Sequence, residues 1–257
     1  MLNLIKSGKS GRNFQVIEQI EINLKKFFKK SEDSLTSSIF ERLLYLPPKI
    51  FWEILTKSIA DKELYHLEAQ LINVEFWPRW DFENGYKEAD VFLRFKHFDL
   101  IIEAKRNDDE FTQYEYQWIS EAEAYIKEYG NEKPCYLLAI GGINKLDTQT
   151  KNITTSSGQM KVFKLRWSGI IYEIKTKIRE IEAAKEDTYN PVMNILRDLL
   201  GWFEVHGFNS GDLLNTLPTN ISISQQHLDK FKNSKKLSFL RYSKFPENLQ
   251  NINLREL

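Results

Sequence analysis

The residues best suited to chemistry are gathered between Glu88 and Lys105. Asp90 opens one apolar stretch, and Glu103, Ala104 and Lys105 close the next. Both stretches, Glu88 to Phe95 and Phe98 to Lys105, read as strands. If Lys96 and His97 form a two-residue hairpin loop, the register can be written out. Val91, Leu93 and Phe95 then share a wholly apolar face with Phe98, Leu100, Ile102 and Ala104. The other face pairs Arg94 with Asp99, Phe92 with Ile101, Asp90 with Glu103 and Glu88 with Lys105. This turn lacks the Gly or Asn favoured in two-residue hairpins, so a longer loop with the same register is an alternative.

Asp90 across from Glu103 sets two carboxylates side by side, which is destabilising unless something compensates. A divalent cation would do so, and one or two carboxylates with water and a phosphate oxygen suit Mg²⁺. The strand period of two returns Lys105 to the face of Glu103. There it can orient an attacking water and stabilise negative charge on a phosphate in transition. The pattern thus points to metal-assisted phosphodiester hydrolysis, and the bland alternative is a surface hairpin with solvated charges.

Several elements must position this hairpin. Asn13 to Lys30 has apolar residues at three- and four-residue steps, which predicts an amphipathic helix. Ser31 to Ser38 reads as a polar break, followed by a short helix from Ile39 to Leu46 that Pro47 and Pro48 stop, and a further helix from Lys49 to Ala60. Leu71 to Trp77 predicts a strand, and Asp81 to Gly85 a polar turn. Phe111 to Tyr129 predicts a helix ended by Gly130, with Trp118, Ala122, Tyr125 and Tyr129 as its apolar stripe. Gln113, Gln117 and Glu121 recur every fourth residue on another face, where glutamine amides can hold a water, the lysine or a phosphate oxygen. Pro134 to Ile140 predicts a buried strand parallel to an earlier one. A polar loop from Lys145 to Gln159, a strand from Met160 to Leu165, and helices from Ser168 to Lys185 and after Asn190-Pro191 complete the pattern. The implied class is α/β, a mixed sheet flanked by helices, with a helical segment at 1–60, a core at 61–185 and a helical or irregular extension at 186–257.

The chain has 257 residues, 36 Lys plus Arg against 36 Asp plus Glu, and 42% hydrophobic residues. That hydrophobic share supports a globular core and excludes collagen-like, disulfide-framework and disordered classes. The charge is sorted: residues 61–130 are strongly acidic and both flanks are basic, as expected of carboxylates gathered around cations between segments that meet an anionic polymer. No apolar run spans a membrane, no secretory signal opens the chain, and Cys135 has no partner for a disulfide, which together predict a cytoplasmic protein. His66, His97, His206 and His227 lack zinc spacing. Gly141-Gly142 lacks the Lys-Ser/Thr of a phosphate-cradling loop, so no nucleotide cofactor is expected.

Asp90 with Glu103-Ala104-Lys105, in this order of elements, resembles the PD-(D/E)XK nuclease superfamily, with Ala89 in place of the proline of its name. The resemblance spans about residues 39–142 and implies a restriction-endonuclease-like fold. It makes Asp90 and Glu103 ligands of Mg²⁺, for which Mn²⁺ could substitute, and gives Lys105 the nucleophilic water. Gln117 resembles the family's glutamine on the following helix, with Gln113 as a substitute. The tyrosine that some subgroups place four residues later is replaced by Glu121. Glu41 resembles the glutamate many members supply from an earlier helix and would be a further metal ligand; Glu53 and Glu68 are rivals. Trp167 to Ile171 and Leu199 to Phe208 look like the C-terminal part of small bacterial nucleases of restriction and antiphage defence. The expected substrate is DNA, with a homodimer or a defence-system protein as partner. A basic, aromatic segment at 228–244 could lie on phosphates. The competing expectation is a catalytically silent nuclease-fold module that binds nucleic acid or acts as a scaffold.

Overall fold

The computed structural model describes residues 14–16, 20–22, 31–83, 85–108, 110–143, 150–184 and 190–209. The described residues all fall within one compact unit, residues 1–210. The basic segment at 228–244 and His227 lie outside the described residues.

The hairpin register is the one the alternation dictates. Strands β6 (Val91–Phe95) and β7 (Asp99–Ala104) are antiparallel, with Val91 opposite Ile102, Phe92 opposite Ile101, Leu93 opposite Leu100 and Arg94 opposite Asp99. The Phe95 amide donates to the Phe98 carbonyl at 3.0 Å, closing a tight turn at Lys96-His97. Val91, Leu93, Leu100 and Ile102 are all fully buried. Burial of each side chain is worth roughly 1.5–3 kcal/mol, and a one-residue slip would turn the whole set outward.

Around this pair runs a six-stranded mixed sheet in the order β3, β6, β7, β8, β10, β9. Strand β3 (Leu71–Phe76) is antiparallel to β6, while β8 (Cys135–Ile140) is parallel to both β7 and β10 (Gly158–Leu165). The apolar run of β8 is therefore a central parallel strand, as its lack of alternation implies. Strand β9 (Lys151–Thr155) pairs antiparallel with β10, so a hairpin stands within the stretch expected to be a polar loop. The expected turn at Asp81 to Gly85 belongs to a second hairpin, β4 (Arg79–Phe82) with β5 (Gly85–Glu88).

Helices cover both faces. On one side α1 (Glu32–Leu43), α2 (Pro48–Lys57), α4 (Trp167–Ala183) and α5 (Pro191–Val205) pack on the apolar face of β6 and β7. On the other, α3 (Glu115–Tyr129) lays Trp118, Ala122 and Tyr125 on Phe92, Ile101, Leu137 and Ala139, joined by Trp80 of β4. Gly130 ends α3 with φ at 78°, and Asn190 caps α5 by accepting from the Val192 and Met193 amides.

Two expectations for the N-terminal region are corrected. Within the stretch expected as a helix from Asn13 to Lys30, the described residues Phe14–Val16 (β1) and Ile20–Ile22 (β2) form an antiparallel pair, because apolar residues alternating with Gln15 and Glu21 also satisfy the strand period. Ser31 to Ser38 is not a break. Ser31 is the N-cap of α1, its side chain accepting from the Ser34 amide at 3.2 Å, and Leu35, Ile39 and Leu43 form the buried stripe beyond it. No helix among the described residues is long and apolar enough to cross a membrane.

Candidate active site

The acidic face of the hairpin points toward α3, and there the expected residues meet. Glu103 is 2% exposed and receives two donors on the same carboxylate oxygen. Gln117 Nε2 donates to Glu103 Oε1 at 2.7 Å, and Lys105 Nζ pairs with that oxygen. Asp90 lies just before β6, and its Oδ2 accepts the Ala104 amide at 2.7 Å. Asp90, Glu103, Lys105 and Gln117 are thus one cluster drawn from two strands and a helix.

Electrostatics set the state of these groups. Burial first, and then the neighbouring Glu103 charge, push the Asp90 carboxyl up to about 8, against the lowering pull of the Ala104 amide. Burial works against the Lys105 ammonium, but Glu103, Glu32 and Asp90 more than offset it and hold its pKa above the usual lysine value. The site carries more negative charge than its lysine neutralises.

The two glutamines divide their roles. Gln113 Nε2 donates to the backbone carbonyls of Glu103 at 3.1 Å and Ile140 at 3.3 Å, and its Oε1 accepts from Trp118 Nε1 at 2.7 Å. It ties the ends of β7 and β8 to α3 and touches no carboxylate, so it does not stand in for Gln117.

The glutamate that α1 contributes is Glu32, not Glu41. Glu32 Oε1 lies 3.7 Å from Lys105 Nζ, and its Oε2 accepts the Arg106 amide at 2.7 Å. Burial raises its pKa, with Lys105 opposing. Glu41 is exposed, and nine residues at about 100° each put it on the opposite side of α1. The rival Glu53 is engaged by Lys57 and by Lys177, the latter at 2.7 Å. The signal for Glu32 was its place directly after a capping serine, at the start of a helix whose N-terminus favours acids.

Glu121 is the other addition. Its spacing put it on the helix face of Gln113 and Gln117, and that face is covered there: Glu121 is 1% exposed. Its Oε1 accepts from Gln117 Nε2 at 3.0 Å, while burial and the Glu103 charge push its pKa well above the usual range.

The end of β7 is braced from beneath. Trp167 Nε1 donates to the Lys105 carbonyl at 2.8 Å, and Asp108 caps α4 by accepting the Trp167 amide at 2.7 Å and the Ser168 amide at 3.0 Å. Gly141 and Gly142, at φ 66° and 60°, pass directly over this end. A Cβ on Gly141 would stand 2.5 Å from the Lys105 carbonyl oxygen, and one on Gly142 2.9 Å from the Lys105 Cβ. The glycine pair is therefore a packing requirement of the lysine.

Among the described residues no three His, Cys, Asp or Glu side chains form a ready-made metal cage. Two carboxylates left undercompensated by one lysine nevertheless fit Mg²⁺, which keeps several waters and seldom uses an all-protein cage.

No protein-family model and no solved structure matches the chain. A protein of Pasteurella multocida (strain Pm70), "Uncharacterized protein PM0110", is 34% identical over 188 residues, covering 68% of this chain and 68% of its own length. At that identity and coverage, the chain belongs to the same family as the Pasteurella protein.

Proposed function

We propose that the chain is a Mg²⁺-dependent nuclease with a restriction-endonuclease-like core, hydrolysing phosphodiester bonds of DNA in restriction or antiphage defence. The observation that carries this reading is the meeting of Asp90, Glu103, Lys105 and Gln117 on one face of the β6–β7 pair. The mixed sheet, with α3 leading from β7 to the parallel strand β8, supports the same reading.

Asp90 and Glu103 would hold the cation, which when bound supplies Lewis acidity and charge neutralisation at the scissile phosphate. Lys105 orients the attacking water and offsets charge growing on the phosphate oxygens. Gln117 fixes the rotamer of Glu103, and Glu32 places a second carboxylate 3.7 Å from the lysine. Water oxygen bonds to phosphorus as the bond to the 3′-oxygen breaks, leaving a 5′-phosphate and a 3′-hydroxyl that takes its proton from solvent.

The test is incubation with supercoiled and linear DNA and Mg²⁺, beside Asp90→Ala and Lys105→Ala. Cleavage by the wild type alone is the expected result. Equal cleavage by all three, or none by the wild type, would overturn the proposal.

A further inference from the structure

Exposed aromatic residues crowd the border of the carboxylate and lysine cluster. Among the described residues nine large hydrophobic side chains are exposed, and four of them, Trp77, Phe111, Tyr114 and Tyr116, belong to the two segments that adjoin it. Trp77 follows β3, and its amide donates to the Asp90 carbonyl at 3.1 Å. Phe111 to Tyr116 run into α3 from an anchor just past β8, where the Thr112 amide donates to the Gly142 carbonyl at 3.2 Å. In the sheet order β3, β6, β7, β8, the end of β7 with Glu103 and Lys105 lies between these anchors, which are three strand intervals or roughly 14 Å apart. Single exposed aromatics are ordinary, whereas a group on both sides of one site marks an interaction surface. Tyr114 and Tyr116 stack at 5.6 Å between ring centroids, with both rings open to solvent. Trp77 holds φ at 52°, a region bulky residues leave to glycine, and backbone strain of this kind gathers at binding sites.

The same stretch is poor in what a duplex needs. Between residues 106 and 117 the basic residue is Arg106, against Asp108, Asp109, Glu110 and Glu115. The Arg106 guanidinium donates to the His206 carbonyl. Holding a duplex takes a row of cations on its phosphates, whereas an unpaired strand can be held by stacking its bases on aromatic rings. We propose that the site takes its DNA as an unpaired strand, with bases on the two sides of the scissile phosphate stacked on Trp77 and on the group of Phe111, Tyr114 and Tyr116. This rests on the nuclease reading for the identity of the polymer. Inside a duplex each base is covered by its neighbours in the stack, so these rings can be used only by a strand that has left its partner. Supercoiled circles that melt locally under torsion, and frayed duplex ends, supply such strands.

The experiment measures binding of the full chain to a short fluorescein-labelled DNA strand and to the duplex of the same sequence, by fluorescence anisotropy. Ca²⁺, which takes oxygen ligands as Mg²⁺ does, replaces it to suppress cleavage, and a gel establishes that the DNA stays intact. The wild type is expected to bind the single strand about 10-fold or more tightly than the duplex. Trp77→Ala and Tyr116→Ala should each weaken single-strand binding by about 5- to 100-fold, the range for one lost stacked base, and leave duplex binding unchanged. Trp77→Phe and Tyr116→Phe keep a ring and should retain most of the affinity, and thermal melts establish that every variant folds. Equal binding of strand and duplex, or binding of neither, overturns the inference. So does either alanine variant that binds the strand as the wild type does or loses strand and duplex alike, and so do phenylalanine variants as weak as the alanine ones. The nuclease reading is judged separately, by the cleavage of supercoiled and linear DNA with Mg²⁺.

Discussion

Replacing Asp90 by asparagine should stabilise the protein at alkaline pH and abolish the proposed nuclease activity. The Asp90 carboxyl is raised to about 8 by burial and by Glu103, whereas an unfolded chain gives it 3.8. Between those values the folded state binds more protons than the unfolded one, so wild-type stability falls as pH rises through this window. The cost is absent below the unfolded value and complete above about 8. Each pH unit within the window contributes at most about 1.4 kcal/mol, so the step from pH 5 to pH 8 has a ceiling of about 4 kcal/mol. Asp90 is only half-buried, and partial hydration reduces the expected cost to about 2 kcal/mol, or about 4–8 °C in Tm for a unit of this size. Asparagine keeps an oxygen for the Ala104 amide and carries no charge. Melting curves of wild type and Asp90→Asn in EDTA, at pH 5 and pH 8, should lie farther apart at pH 8 than at pH 5, the difference growing by this amount. A difference that does not change with pH, or a variant less stable at pH 8, would refute the assignment of a raised Asp90 carboxyl to burial and the Glu103 charge.

On the proposed mechanism, in which the lysine would orient water and not hold the cation, Lys105→Met should lower DNA cleavage by 10²-fold or more while Mn²⁺ still raises the melting temperature. Gly142→Ala places a Cβ 2.6 Å from Thr112 Oγ1 and 2.9 Å from the Lys105 Cβ at a positive φ. It should cost about 1–3 kcal/mol in a denaturant titration and reduce cleavage more than a comparable surface change. Asp108→Ala removes the cap of α4 and should lower Tm by about 2–6 °C, with Asp108→Asn losing less because it keeps one acceptor.

The hairpin was legible because its two faces differ sharply. Alternating apolar residues fixed the register of β6 and β7, and the register put Asp90, Glu103 and Lys105 together. The stripe on α3 and the unbroken apolar run of β8 were equally plain. What was hidden depends on neighbours remote in sequence. Glu32 reaches Lys105 only because α1 packs behind the sheet, and one of two adjacent acids in a serine-rich stretch carries no sign of that partner. Glu121 shares its helix face with Gln117, but nothing in that spacing showed that the face is buried. β1 and β2 escaped notice because four apolar residues at mixed spacing satisfy either period.

The glycine pair after β8 has a bearing on transplantation. An Asp, Glu and Lys on a hairpin can be copied into another sheet, but here the lysine stem takes the space a side chain on Gly142 would need, and the lysine's own carbonyl takes that of one on Gly141. The smallest portable unit is then not the hairpin. It extends from Asp90 through α3 to Gly142, with a carboxylate delivered from outside in the place of Glu32, and a graft lacking the neighbouring strand would hold the right residues around the wrong space.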